Sequence, residues 1–191
     1  MAARWEIHQI NGKWEIQNGE LRVWDGEPIS FRLRMLVSGD VRVEFDCHQE
    51  GSFLSDASCF IGALPFSESK KDCPFYGGYL FQYGGFANTQ LALRAPERIL
   101  WHLQAVPLIR GKRYHILAEK VGERVKLLVD GRIIFNIKDP NPLIGAEHAG
   151  VGFYAYGADT YYDNVRVYQL DAPIKADLLE TARDFLVKGE F

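Results

Sequence analysis

Residues 111–135, GKRYHILAEKVGERVKLLVDGRIIF, decide the fold of this chain. They contain two runs in which apolar and polar residues alternate, as expected for strands with one buried face. The first run ends at Val121-Gly122-Glu123, and the second ends at Asp130-Gly131, a dipeptide that tolerates the positive φ of a tight hairpin. A third strand is expected over 133–137. The stretch therefore predicts a meander of antiparallel strands.

The alternation also predicts which side chains of the meander are buried. In the first strand Tyr114, Ile116 and Ala118 fall on one face. In the second strand every other residue is again apolar, namely Val125, Leu127 and Val129. Since successive side chains of a strand point to opposite sides, these two sets form one core-facing surface.

The rest of the chain has the same character. Short apolar or alternating runs follow one another, separated by turns rich in glycine, asparagine and aspartate. The predicted strands comprise the echoes around Trp5 and Trp14 and the segments 29–36, 41–48, 58–64, 78–83, 91–94, 100–104, 151–156 and 161–170. In the last segment, strict alternation places Tyr162, Asn164, Arg166 and Tyr168 on one face. Residues 65–77 are expected to form a long polar loop.

One helical pattern occurs, at the end of the chain. Apolar residues recur there at helical spacing, at Ile174, Leu178, Leu179, Ala182, Phe185 and Leu186. The chain is thus predicted to be all-β, an antiparallel two-sheet β-sandwich over 1–170, with a short C-terminal amphipathic helix over 171–191 packed on the same domain. A dimer contact through this helix, giving a homodimer, is the alternative.

Two segments resemble a known superfamily. The pattern G-K-x-Y-H-I-x-x-E-K-x-G-x-x-V-x-L-x-V-D-G-R, starting at Gly111, resembles hairpins of laminin-G-like and concanavalin A-like lectin/glucanase domains. The closing strand YYDNVRVYQL, over 161–170, together with Gly150-Val151-Gly152-Phe153, is similar to the end of the same domains. The resemblance implies a concanavalin A-like jelly roll, with carbohydrate held on the concave sheet face and its bordering loops.

The composition of the chain limits which binding partners and which cellular location are expected. The 191 residues are 47% hydrophobic, which is enough for one core. A formal net charge of -3 without long like-charge runs gives no footprint for nucleic acid or for a membrane surface. The N-terminus lacks the basic start and apolar core of a signal peptide, so a cytoplasmic protein is expected, unless a signal has been lost. The three cysteines, at 47, 59 and 73, are expected to be reduced core or loop thiols.

The most enzyme-like residues follow one strand. Glu44, Asp46, His48 and Glu50 are spaced by two and would project from one face. They partly resemble the E-x-D-x-E motif of family 16 glycoside hydrolases, with His48 in the place of the last Glu and Glu50 one strand repeat beyond it. If the protein is a sugar-cleaving enzyme, Asp46, His48 and Glu50 are the candidate catalytic residues, in acid/base roles. Retaining hydrolysis needs two carboxyl groups about 5 Å apart, which a histidine does not supply. A solvent-exposed face, or the lining of a groove without catalysis, is the plainer interpretation.

Other candidates lie in and after the aromatic segment 77–88. Tyr79, Phe81 and Tyr83 share one face, Leu80 and Gln82 share the other, and at least one of these faces is expected to fill the core. Gln82, Asn88 and Arg94 then become candidates for contacting sugar hydroxyls. Glu44 joins them as a candidate ligand-binding residue from the preceding set.

Trp101 and His115 complete the ligand-binding candidates. Trp101 could serve as a stacking platform or cap the core, because tryptophan is highly buried on average. His115 lies outside the apolar face of its strand, and a lone histidine is more often a structural group than a general base.

No cofactor is expected to be required. The histidines lack zinc-ligand spacing and no EF-hand pattern occurs. Asp163 occupies the place of the Asp in the D-x-V-R-V-Y closing strand of family 16 enzymes, and that resemblance implies a structural calcium as the one metal to consider.

These observations favour a carbohydrate-binding, lectin-like protein that recognises an oligosaccharide or sugar derivative. A glycoside hydrolase or related sugar-cleaving enzyme, similar to the 3-keto-disaccharide hydrolases, is one alternative. A protein-interaction module is another, because laminin-G-like sandwiches also bind proteins.

Overall fold

The computed structural model describes residues 4–9, 12–25, 29–65 and 75–170. Within these ranges the chain forms strands and one short helical turn, α1 (Gly85–Asn88). The strands are β1 (Trp5–Gln9), β2 (Lys13–Gln17), β3 (Glu20–Trp24), β4 (Ile29–Leu33), β5 (Asp40–Glu50), β6 (Ser58–Ala63), β7 (Tyr79–Gly84), β8 (Gln90–Ala95), β9 (Arg98–Gln104), β10 (Tyr114–Val121), β11 (Arg124–Val129), β12 (Arg132–Lys138), β13 (Gly150–Ala155) and β14 (Asp159–Leu170). The predicted C-terminal helix and most of the predicted 65–77 loop lie outside the described residues.

The strands form two seven-stranded sheets. Sheet 1 has the order β1-β4-β13-β6-β7-β8-β9, and sheet 2 has the order β12-β11-β10-β5-β14-β3-β2. Every pair of neighbours is antiparallel. The predicted all-β, antiparallel two-sheet sandwich is confirmed. In the part of the chain that the structure describes, no helix is long and apolar enough to cross a membrane.

The meander that decided the fold lies at one edge of sheet 2. The predicted core residues of β10 and β11 are all buried. A register shift between Leu127 and Leu128 interrupts the pairing of β11 with β12. In β12, Phe135 is buried while Ile133 is exposed, so the third strand contributes less to the core than the first two.

Strict alternation fails in β14. Tyr162 faces the core, and the next buried residues are Val165 and Val167 rather than Asn164 and Arg166, which strict alternation places on the same face as Tyr162. The cause is a bulge in the pairing with β5 between Asp163 and Arg166, where Asn164 adopts a φ of 52°. An extra residue at a bulge moves all later side chains of the strand to the opposite face.

Aromatic side chains fill the space between the sheets. The ring of Phe45 in sheet 2 lies 4.9 Å from that of Phe153 in sheet 1, in an edge-to-face arrangement that such pairs prefer. Tyr79, Phe81 and Tyr83 are buried, so the expected core role of at least one face of β7 falls to the aromatic face.

The outer faces of the two sheets differ. On sheet 1 a second, small apolar cluster of Phe60, Ala63 and Leu80 is covered by Phe75 and Tyr154. On sheet 2 the outward residues of β5 are charged or polar and half-buried. Sheet 1 therefore carries apolar residues on both of its faces. This second apolar surface forms the floor of the groove described next.

Candidate functional site

A groove of about 650 Å³ lies on the outer face of sheet 1. Its rim is aromatic, with Phe75, Phe86, Tyr154 and Tyr156 among the lining residues, and its polar groups come from Asp56, Gln82 and Arg94. A concave, mostly apolar site with a few convergent polar groups is the usual form of a small-molecule site.

Strand alternation aims two of the polar groups into the groove. The neighbours of Gln82 in β7 face the core, so Gln82 points outward with Leu80. Arg94 of the adjacent strand β8 pairs with Leu80, and the Nε atom of Arg94 donates to Oε1 of Gln82 over 2.6 Å. The amide thus orients the guanidinium.

The third polar group is Asp56, which is only 5% exposed. Its Oδ1 atom accepts hydrogen bonds from Nε2 of Gln82 (3.0 Å) and from the hydroxyl of Ser58 (3.1 Å). Its Oδ2 atom accepts one from the hydroxyl of Ser55 (3.1 Å). Burial raises the pKa of Asp56, and the three hydrogen bonds and the charge of Arg94 offset this only in part.

A left-handed turn places Phe86 at the rim. Phe86, Ala87 and Asn88 have φ angles of 52°, 55° and 60°, although none of them is glycine. Asn88 anchors the turn, since its amide donates to the carbonyl of Leu108 and accepts from the same residue's N–H, both at 2.9 Å. The ring of Phe86 is 61% exposed and lies 5.2 Å from the guanidinium carbon of Arg94.

The ligand-binding residues predicted from the sequence lie in different parts of the structure. Gln82 and Arg94 lie together in the groove. Asn88 is buried behind the rim with its amide engaged by Leu108. Trp101 packs toward the core, 5.1 Å from the ring of Phe135, so it is not an exposed platform.

The candidate catalytic residues lie on the outer face of sheet 2, on the other side of the sandwich. Val43, Phe45 and Cys47 of β5 are buried, so the residues between them point away from the core. The set found from the sequence on β5, Glu44, Asp46, His48 and Glu50, is therefore separated from the groove by both sheets.

On this face the polar side chains contact one another in two small groups. Nδ1 of His115 lies 2.8 Å from Oδ1 of Asp46, and the amide of Asn164 donates to Oδ2 of Asp46 over 2.7 Å. His48 stacks on Tyr161 with 4.5 Å between ring centroids, and its Nε2 atom is 3.9 Å from Glu50. The bulge in β14 is what brings Asn164 to Asp46.

The carboxylate of Asp163 is engaged by neighbouring side chains and backbone. Its carboxylate accepts from the N–H of Asn164 (2.7 Å) and lies 3.6 Å from Nη1 of Arg113. Calcium takes six to eight oxygen ligands, and the side-chain amide of Asn164 donates to the carboxylates of both Asp163 and its strand partner Asp46. Among the described residues no group of three His, Cys, Asp or Glu side chains is placed to hold a metal ion. The structural calcium that the resemblance implied stays a prediction.

Asp56 and the aromatic rim were not found from the sequence. Asp56 lies before β6, in a segment without alternation, and the only local signal is its position between Ser55 and Ser58. Such hydroxyls often bond a neighbouring carboxylate. Phe75 and Tyr154 line the groove because they pack against the apolar residues on the outer face of sheet 1.

Comparison with known proteins gives similarity in structure alone. No protein-family model matches the chain, and no curated protein sequence is significantly similar. Carbohydrate binding module CBM66 from Bacillus subtilis is similar with a TM-score of 0.64 and 17% identity, over 85% of this chain and 94% of the module. A Bacillus subtilis protein of unknown function with a galectin-like fold has a TM-score of 0.69 and 16% identity, over 86% and 89% of the two chains.

The exoplasmic/lumenal domain of VIP36, in its Ca2+/Man-bound form, is also similar. Its TM-score is 0.64 at 10% identity, over 91% of this chain and 86% of that domain. Together these similarities assign the chain a lectin-like jelly-roll β-sandwich fold.

Proposed function

We propose that this protein binds carbohydrate, an oligosaccharide or sugar derivative, in the groove on the outer face of sheet 1. The observation that carries the proposal is the hydrogen-bonded chain from Arg94 through Gln82 to Asp56, set beside exposed aromatic rings. The finer assignment to the concanavalin A-like lectin/glucanase superfamily belongs to the same proposal.

The chemistry of the groove suits a sugar. Among the described residues the two Nη atoms of Arg94 have no hydrogen-bonding partner in the protein, so they are donors for ring or hydroxyl oxygens. Oδ2 of Asp56 accepts one hydrogen bond and retains capacity for a ligand hydroxyl. Phe53, Phe86 and Tyr156 bring exposed aromatic surface for the C–H side of a pyranose or furanose ring.

The named functions of similar structures support the same class of ligand. One similar structure is a carbohydrate binding module, and another is described as bound to Man. These names belong to proteins of low identity, so the residues of the groove carry the weight of the proposal.

The enzyme alternative has less geometric support in the groove. A retaining or inverting glycosidase uses two carboxyl groups flanking the scissile bond. Of the described residues that line this groove, Asp56 alone has a carboxyl group. On sheet 2 the carboxylate of Asp46 is engaged by His115 and Asn164.

The experiment is a glycan array followed by calorimetric titration of the best sugar, with reducing-sugar release measured in parallel. Two groove variants, Gln82→Leu and Arg94→Ala, are compared with two sheet 2 variants, Asp46→Asn and His115→Ala. We expect the groove variants to lose binding by about tenfold or more, which is about 1.4 kcal/mol, and the sheet 2 variants to bind as wild type.

The other outcomes decide between the alternatives. Loss of binding in Asp46→Asn alone would move the site to sheet 2. Release of reducing ends would establish a hydrolase. No array signal for the full chain would reject carbohydrate binding and favour the protein-interaction module.

A further inference from the structure

A second cavity continues the groove along β8. It has a volume of about 390 Å³ and shares three lining residues with the groove, Phe75, Leu80 and Arg94. Its volume alone is within the range of small-molecule sites. Because Arg94 lines both spaces, they form two halves of one trough.

The far wall of the second cavity is the hairpin between β8 and β9. Pro96, Glu97 and Ile99 line it, and Ile99 is 60% exposed although apolar. Ile99 therefore offers apolar surface at this wall on which a ligand ring can rest. Leu80 supplies the apolar floor on the side of sheet 1.

Hydrogen bonds to Asp139 and Asn141 fix the position of this hairpin. The guanidinium of Arg98 donates to Oδ1 of Asp139 (2.8 Å), to Oδ2 of Asp139 (3.2 Å) and to the carbonyl of Asn141 (3.1 Å). The hydroxyl of Tyr79 donates to Oδ2 of Asp139 over 2.8 Å, and Asp139 is fully buried. The hairpin is therefore a pre-formed wall, which lowers the entropic cost of binding.

The charges of the second cavity favour a neutral polar ligand. Arg94 brings a cation whose Nη atoms are directed to no protein acceptor in the described part of the chain. Glu97, in the turn that follows β8, brings one anion and forms no ion pair with a described residue, while the charge of Arg98 is paired with Asp139. The cavity thus offers a donor and an acceptor beside the apolar side chains of Leu80 and Ile99, a combination suited to hydroxyl groups on a ring.

We infer that the trough takes a linear, neutral oligosaccharide of at least two sugar residues, with one residue between Asp56 and Phe86, the next between Glu97 and Ile99, and Arg94 contacting both. This inference rests on the proposed function and specifies its ligand. It predicts that affinity depends on chain length.

The test uses four homologous series, gluco-, galacto-, manno- and fructo-oligosaccharides from one to five residues, titrated calorimetrically into the full chain. In at least one series we expect affinity to rise about tenfold or more from the monosaccharide to the longer chains. The combined variant Glu97→Gln/Ile99→Ala should lose that gain and keep the monosaccharide affinity.

A matched control is Ile133→Ala, because Ile133 on β12 is 62% exposed, as Ile99 is 60% exposed, and it lines neither cavity. This variant should keep the chain-length gain, and thermal unfolding of each variant checks that the fold is retained. Equal affinity for monosaccharide and longer chains would overturn the inference and leave the proposed function standing. So would a gain that survives in Glu97→Gln/Ile99→Ala. Failure of every series, monosaccharides included, would overturn both.

Discussion

The Nε atom of Arg94 lies 2.6 Å from Oε1 of Gln82, so an amide on the adjacent strand, rather than a carboxylate, fixes the guanidinium in the groove. The same amide donates to Asp56 over 3.0 Å. Gln82 therefore separates the cation from the anion and leaves the two Nη atoms of Arg94 directed to no protein acceptor among the described residues. The first two predictions test Arg94 and Asp56, the two ends of this series of hydrogen bonds.

Arg94→Lys should weaken binding of the best array sugar by about tenfold or more, at nearly unchanged stability. A lysine lacks the planar fork of donors and the flat surface that Arg94 sets over Phe86. Calorimetric titration measures the effect. Arg166→Lys, on the outer face of sheet 2, is the matched control and should bind as wild type; equal weakening in both variants would show that the loss is not specific to the groove.

Asp56→Asn should change how stability depends on pH. Burial raises the pKa of Asp56 above its ordinary value of 3.8, so above that pH the unfolded chain ionises more readily than the folded one. Wild type therefore loses stability relative to Asp56→Asn as pH rises from 3.8 to the raised pKa, and the difference is constant at higher pH. Urea unfolding of both proteins across this range measures it, and a difference that does not vary with pH would contradict the prediction.

Ala87→Gly should stabilise the protein by about 1 kcal/mol, because Ala87 is exposed and holds a φ of 55° that costs an L-residue energy but not glycine. Thermal unfolding measures the change. Ala146→Gly is the control, since Ala146 is exposed without a positive φ and glycine there only increases the freedom of the unfolded chain. If both substitutions destabilise to the same extent, the left-handed turn is not strained.

Asp139→Asn should destabilise the protein by about 2 kcal/mol, because Arg98 and Tyr79 lose a buried charged partner. Asp25→Asn, in an exposed pair with Lys13, should cost less than about 0.5 kcal/mol. Denaturant unfolding compares the two. A loss no larger in Asp139→Asn than in Asp25→Asn would show that the network does not support the second cavity.

The carboxylate of Asp139 also makes the stability of the protein depend on pH. Burial by itself raises the pKa of Asp139, but the hydrogen bonds from Arg98, Asn141 and Tyr79 outweigh burial and lower it below 3.8. The stabilisation is therefore complete above this ordinary value and is lost as pH falls through the lowered pKa. Acid unfolding of wild type, but not of Asp139→Asn, should show this contribution.

The strands were predictable because alternation is a local property. Tyr114, Ile116 and Val125 are buried as their spacing predicts, and Gln82 and Arg94 point outward for the same reason. Where the alternation is interrupted, it no longer predicts which side chains are buried. The bulge at Asn164 reverses the later faces of β14, which a strict two-residue alternation through YYDNVRVYQL does not follow.

The sequence by itself determined the antiparallel sandwich and which side chains of each strand leave the core, because the two-residue period of a strand separates buried from outward residues without reference to any partner. Only the tertiary structure decided which outward face holds the groove. Asp56 meets Gln82, and Phe86 meets Arg94, through strand order and turn geometry. Strand order depends on how distant segments pair, and that pairing is set by the packing of the whole sandwich rather than by any local pattern.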